Sequence, residues 1–234
     1  MTAAFYNFHP SMVARAVPGC WDSVAPHTLC RVRAIAAGDA LSEACSVAAR
    51  SDLLAALPLL RRAVERCDVA GRVMAAANCA LWPTISTALG TGGLAEVWQA
   101  CTTLREHRGD GHVAVLLVHG IEGIDAHLLA AGTTGVPAEL LRDNRGWSEE
   151  DWKGAMSSLA SHGLLHTDGR ATDAGRTLHA SVEEQTDRLA TSPYADLSDA
   201  AAADLCGAVS TCAREIAASG MLPFPNPMGL PRAG

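Results

Sequence analysis

Apolar residues recur every three or four positions along most of the chain, which predicts a succession of amphipathic α-helices. In the first half of the chain the predicted helices lie at about 12–17, 28–49, 52–66, 69–81 and 94–107. Pro58 falls inside the third of these, where it either kinks the helix or marks its first turn. Pro83 and the glycine run at 90–93 predict a loop before the fifth helix.

A charged segment, residues 104–112, follows the fifth predicted helix and interrupts the apolar pattern. Six of its residues are Arg, Glu, His or Asp. Gly109 is a typical helix C-cap and Asp110 a typical N-cap, so one helix is predicted to end here. The next helix is predicted at about 111–131, with His112 and His119 along one edge.

From about residue 133 the order of elements predicts a winged helix-turn-helix. A short helix begins at Pro137, and Ser148 followed by three acids predicts the start of a recognition helix. The chain then predicts a short strand before an Asp-Gly turn at 167–170, a second short strand, and another helix from about Asp173. These two strands would form a small wing.

The final part of the chain predicts a last helix at about 199–219, capped by Ser198. Three prolines in the apolar segment 221–228 predict an extended strap that lies on a surface. The sequence therefore predicts a mainly α fold in three parts. These are a helical domain at 1–132, a winged helix-turn-helix domain at 133–190, and a C-terminal helix and strap at 191–234 that pack back on the first domain.

Composition supports the helical prediction and limits the choice of partners. Hydrophobic residues make up 49% of the chain and aromatic residues only 4%, which favours close-packed helices of Ala, Leu and Val. The net charge of −7 repels nucleic acid and anionic membranes. No apolar run has transmembrane length. The eight cysteines form no CxxC pair and no signal peptide precedes them, which predicts free thiols in a cytoplasmic protein.

The charged segment offers two kinds of chemistry. His107 and His112 are candidate catalytic proton carriers, and Glu106 or Asp110 would orient them. The alternative is that these residues only cap helices and form salt bridges at a helix junction.

The same segment could instead anchor a ligand. Arg105 and Arg108 are candidates to bind a carboxylate or phosphate, and Asn7 and His9 of the aromatic N-terminal segment could join them. No metal site is predicted, because the His107–His112 spacing is five residues and not the four of a zinc-binding helix. No motif identifies a cofactor.

DNA reading has weak support from charge. Residues 137–190 contain ten acids and six bases, a net charge of −4, and acids fill the first turn of the predicted recognition helix. The candidate DNA-binding residues are Lys153, on the predicted recognition helix, and Arg170, at the predicted wing tip. Because affinity for DNA depends on neutralising phosphates, DNA is disfavoured as a partner. The domain could alternatively serve in packing or dimerisation.

The phrase LASHGLLHTDGRATDAGRTLHASVEEQTDRL resembles the end of the recognition helix, the wing and the following helix of MarR-like regulators. A wider resemblance is to an actinobacterial helix-turn-helix family, and the segments that carry it are Asn7-Phe8, 12–16, 105–112, 145–147 and 226–230. The resemblance implies a winged helix and a homodimer. Members of that family usually have several dozen residues before the Phe-Tyr-Asn-Phe segment, so part of the family's N-terminal region is expected to be missing here.

These observations lead to three hypotheses. The first is a protein of secondary metabolism that binds a small, mostly apolar molecule with one anionic group near the charged segment. The second is a MarR-like, ligand-responsive transcription regulator. The third is an acid/base enzyme that uses the cluster at 105–112.

Overall fold

The computed structural model describes residues 4–89, 93–226, 228 and 230. Two short 3-10 helices lie at Gly19–Asp22 and Ser192–Tyr194. The α-helices of these residues are α1 (Pro10–Ala16), α2 (Pro26–Ala44), α3 (Val47–Glu65), α4 (Val73–Leu89), α5 (Leu94–Val118), α6 (Gly123–Thr134), α7 (Ala138–Arg145), α8 (Glu149–Ser161), α9 (Asp173–Ala190) and α10 (Asp199–Ala218). The predicted mainly α fold is confirmed.

The predicted two-stranded wing is wrong, because the described residues contain no β-strand. Between α8 and α9 the chain makes one isolated antiparallel bridge, from Leu165 to Ala171. The turn between them is tight, since the His166 N–H donates to the Arg170 carbonyl oxygen at 2.8 Å. As α9 already begins at Asp173, too few extended residues remain to continue a ladder.

Contacts divide the chain into two compact units, each made of separate chain segments. Unit 1 contains the described residues of 1–23, 111–188 and 225–230. Unit 2 contains those of 24–110 and 189–224. The division falls inside α5, between Asp110 and Gly111. The domain boundaries drawn from the sequence at 132 and 190 stay predictions.

The core of unit 2 forms around α3. Its apolar stripe packs with residues of α5 and α10, and the buried members are Leu53, Leu57, Leu60, Val64, Val97, Leu104, Leu205 and Cys212. The predicted boundary between the second and third helices shifts, because Ser46 accepts a hydrogen bond from the Ala49 N–H and begins α3. Pro58 lies inside α3, and Pro83 lies inside α4 where a loop was predicted. Residues 90–92 of that loop lie outside the described residues.

The core of unit 1 forms where α6, α8 and α9 meet. Its buried residues include Leu116, Ile124, Leu128, Trp152, Leu159 and Val182. Gly123 lets α6 approach the N-terminal segment, since a Cβ there would lie 2.2 Å from the Tyr6 carbonyl oxygen. Gly146 ends α7 with φ +76°, and Ser148 and Asp151 begin α8 with a capping box.

The predicted helix break at Gly109 and Asp110 is wrong, because α5 continues from Leu94 to Val118. A glycine inside a helix costs only about 1 kcal/mol, and buried residues on both sides, such as Leu104 and Val115, offset that cost. The helix ends instead at Val118, and Gly120 follows it with φ +65°. The Ile121 N–H donates to the Leu116 oxygen and the Gly120 N–H to the Leu117 oxygen, which is a Schellman motif.

Within the described residues, no single helix is both long and apolar enough to cross a membrane, and α5 with α6 reach that threshold only as a bent pair.

Candidate functional site

The first part of the charged segment lies in unit 2, where it is mostly tied to its neighbours. Arg105 and Glu106 form an ion pair with each other at the surface. His107 is only 1% exposed, and its backbone oxygen accepts a hydrogen bond from Arg72 at 2.6 Å. Arg108 is half-buried. The Asp110 carboxylate accepts a hydrogen bond of 2.8 Å from the Ala75 N–H at the start of α4.

The His107 imidazole is held in its neutral form. Burial lowers its pKa, and the nearby positive charge of Arg72 lowers it further. The negative charges of Asp68 and Asp110, and a hydrogen bond to the Asp68 backbone, act in the opposite direction. Its Nε2 is buried and has no hydrogen-bond partner among the described residues. The neutral ring can accept a proton only at this atom, which solvent does not reach.

His112 lies in unit 1 and contacts α9. Its Nδ1 is 3.0 Å from Thr186 Oγ1 and 3.8 Å from a Glu183 carboxylate oxygen. Because the Thr186 hydroxyl donates to the Val182 oxygen, it accepts from His112, so Nδ1 carries the proton. The contacts described for His107 and His112 lie in different units. Their roles, and those of Glu106, Asp110, Arg105 and Arg108, stay predictions.

The N-terminal segment is anchored in unit 1 through the backbone of Asn7. The Asn7 carbonyl oxygen accepts hydrogen bonds from Trp147 Nε1 and from His127 Nε2, each at 3.1 Å. The His9 ring packs edge-on against Trp147, with 5.1 Å between ring centroids. Asn7 Oδ1 is buried and has no partner within the described residues.

Arg145 secures the other side of the N-terminal segment. Its guanidinium lies 4.6 Å from the Phe8 ring centroid, and its backbone oxygen accepts from the His9 N–H at 2.8 Å. Burial, followed by the charge of Arg145, lowers the pKa of His127 to about 4. Asn7 and His9 therefore pack against Trp147 and Arg145, two residues that the sequence had indicated only through the family resemblance.

A groove of about 650 Å³ opens in unit 1 beside Trp147 and α8; we call it the unit 1 groove. Its apolar lining residues are Ile121, Ile124, Trp147, Ala155, Leu159, Leu164 and Leu178. Its polar lining residues are His119, Glu122, Asp125, Asp151, Ser158 and His162. Gly154 also lines it, and a Cβ added there would meet no atom within 4 Å.

The unit 1 groove is electrostatically negative. Three carboxylates line it, and none of its lining residues in the described chain is Lys or Arg. Hydrogen bonds from Ser148 lower the pKa of Asp151, which keeps that carboxylate ionised. Burial raises the pKa of Asp125, which also belongs to the capping box of α6. The groove therefore combines an apolar lining with acceptors for a cation or a hydrogen-bond donor.

The two candidate DNA-binding residues both pair with acids close by in the chain. Lys153 Nζ lies 2.6 Å from a Glu149 oxygen, one turn earlier on α8. Arg170 Nε lies 2.8 Å from an Asp168 oxygen in the turn before α9. All four side chains are exposed, so these pairs are weak, but they reduce the positive potential offered to a phosphate.

Among the described residues, no group of three or more His, Cys, Asp or Glu side chains is placed to hold a metal ion.

Residues 1–223 match the model of a helix-turn-helix family. The chain belongs to this helix-turn-helix family. The match confirms neither the MarR-like relationship nor the actinobacterial origin that the sequence resemblance implies. No curated protein and no solved structure matches the chain significantly.

Proposed function

We propose that this helix-turn-helix protein binds a small, mostly apolar molecule with a positively charged group in the unit 1 groove. The observation that carries the proposal is the pairing of an apolar lining with three carboxylates and, among the described lining residues, no Lys or Arg. The volume of about 650 Å³ lies in the usual range for small-molecule sites.

The charge of the groove changes the ligand that the sequence had suggested. An anionic group would be repelled by Glu122, Asp125 and Asp151, whereas an ammonium group would be attracted. The apolar residues would bury the ligand body, and each buried CH₂ group contributes about 0.8 kcal/mol. Trp147 would supply an aromatic face for the cation, in addition to its contact with Asn7.

A second function, regulation of transcription in response to the ligand, is favoured by family membership. Helix α8 follows α7 across the turn at Gly146, and one face of α8 lines the groove. A ligand in the groove would contact the helix that a helix-turn-helix protein places in the DNA major groove. Ligand binding would thus alter the position or charge of α8.

The experiment compares two ligands of equal chain length, hexyltrimethylammonium and hexanoate, by titration calorimetry. The cation is expected to bind more tightly, and Gly154→Leu is expected to abolish its binding because the new side chain fills the groove. Ser157→Leu is the matched control, since Ser157 is an exposed residue of α8 that does not line the groove. Equal binding of both ligands, or unchanged binding in Gly154→Leu, would refute the proposal.

A further inference from the structure

Two buried cysteines meet in unit 2, and neither of them lines the unit 1 groove. Cys45 precedes α3 and Cys212 lies on α10, and their Sγ atoms are 2.6 Å apart. The two residues are 4% and 3% exposed. Non-bonded sulfur atoms normally stay well beyond this separation, and a disulfide bond requires about 2.05 Å. The two sulfurs therefore need to move by only about half an ångström to become bonded.

The surrounding contacts fix this junction independently of the sulfurs. One turn after Cys212 on α10, Glu215 accepts hydrogen bonds from the N–H and the hydroxyl of Ser46, at 2.6 and 2.8 Å. Ser46 is the residue next to Cys45 and also caps α3. The start of α3 and the helix α10 are therefore held together by the Ser46–Glu215 hydrogen bonds, directly beside the two sulfur atoms.

We propose that Cys45 and Cys212 form a disulfide bond when the chain is exposed to a low-molecular-weight disulfide such as oxidised glutathione. One cysteine thiolate attacks the glutathione disulfide, whose S–S bond breaks and releases one glutathione thiolate. The second cysteine thiolate attacks the mixed disulfide and releases the second glutathione. The two cysteines are oxidised, the glutathione disulfide is reduced, and the two cysteine protons pass to the glutathione thiolates.

Exchange occurs while the junction is open, during folding or when α10 detaches. In the closed state the oxidant cannot reach the sulfurs. The pKa of Cys212 is also raised to about 12, mainly by burial and secondly by the hydrogen bond with Cys45. Little thiolate is therefore present at neutral pH. Once formed, the bond ties α10 to the start of α3 across most of the chain and restricts the unfolded state.

The test is to refold the full chain with oxidised and reduced glutathione, block free thiols under denaturing conditions, and digest with trypsin. Cys45 lies in the peptide 34–50, whereas Cys206 and Cys212 share the peptide 189–214. The digest is therefore made in a Cys206→Ser variant, so that Cys212 is the only cysteine in the second peptide. This substitution is at an exposed position of the native chain. The expected result is a mass lower by about 2 Da and a linked pair of peptides 34–50 and 189–214.

Two further measurements complete the test. The melting temperature of the oxidised chain is expected to rise by roughly 5–10 °C over the reduced chain, and Cys45→Ser should remove both the link and the difference. The proposal is overturned if Cys45 and Cys212 are both recovered as blocked free thiols at every glutathione ratio. It is also overturned if other cysteines pair instead, such as Cys67 with Cys79, which lie within hydrogen-bond distance of each other.

Discussion

The carboxylate of Asp110, in the middle of α5, accepts a hydrogen bond of 2.8 Å from the backbone N–H of Ala75, in the first turn of α4. Helix N-termini leave backbone N–H groups without partners, and a side chain just before the helix usually satisfies one of them. Arg72, the residue before α4, has no acceptor atom in its side chain. Asp110 therefore provides the cap from 35 residues away.

Replacing Asp110 with Ala should reduce the free energy of unfolding by about 0.5–2 kcal/mol, the usual cost of losing an N-cap. Asp110→Asn should lose less, because its amide oxygen can still accept the hydrogen bond. Urea unfolding followed by circular dichroism measures the change. Asp39→Ala, the same substitution at an exposed position of α2, is the control. Equal effects at the two positions would show that Asp110 is not a cap.

Glycines at close contacts and glycines in open space should respond oppositely to alanine. In Gly123→Ala the Cβ would lie 2.2 Å from the Tyr6 oxygen and 2.9 Å from the Asn7 Cα, so we expect a loss of about 3 kcal/mol. In Gly154→Ala the Cβ meets nothing within 4 Å, so the helix should gain about 0.5–1 kcal/mol. Thermal unfolding of both variants measures this, and a gain at Gly123 would contradict the close approach of the N-terminal segment.

Acid should destabilise the protein through His127. Its pKa falls from 6.5 to about 4 in the folded chain, so folding favours the neutral ring. Stability from this group is complete above pH 6.5 and is lost as the pH falls toward 4, by roughly 3 kcal/mol. In His127→Gln an amide can still donate to the Asn7 oxygen but does not titrate. Urea unfolding at pH 7, 6, 5 and 4 should show a shallower decline in this variant, and identical declines would exclude His127 as the cause.

Weak, nonspecific DNA binding is expected at physiological salt, because the candidate cations are paired with acids. Glu149→Gln removes the acid that pairs with Lys153, so the affinity for DNA should rise. The slope of the logarithm of the binding constant against the logarithm of the salt concentration should also become steeper, by about one for each added phosphate contact. Fluorescence anisotropy with labelled duplexes measures both. Glu184→Gln changes the net charge equally at an exposed position of α9. A tight, sequence-selective complex lost in Arg170→Ala would instead favour the regulator hypothesis.

The sequence predicted the features that depend on neighbouring residues. Ser148 and Ser198 begin α8 and α10 as expected, because an N-cap bonds to a backbone group only two or three residues later. The 3.6-residue period also identified most helices. Local signals failed at Gly109 and Asp110, where burial on both sides of α5 outweighs the breaking tendency of a glycine.

Features that depend on distant residues were not predictable in the same way. The partner of Asp110 is on another helix, and the carboxylates of the unit 1 groove come from the start of α6 and the start of α8. Each of these acids already has a local role in a capping box at the start of its helix, so the sequence alone gives no reason to place them together in a groove. Only the packing of α6 against α8 shows that Glu122, Asp125 and Asp151 line the same groove.

The interleaved segments of the two units have a consequence for synthesis on the ribosome. The chain leaves unit 1 after residue 23 and returns to it at 111, and unit 2 resumes at 189 before residues 225–230 rejoin unit 1. Neither unit can therefore be completed by a nascent chain that ends before α10. The shortest continuous piece that contains all described residues of unit 2, residues 24–224, also contains the 111–188 segment of unit 1, so neither unit can be expressed as one continuous piece without part of the other.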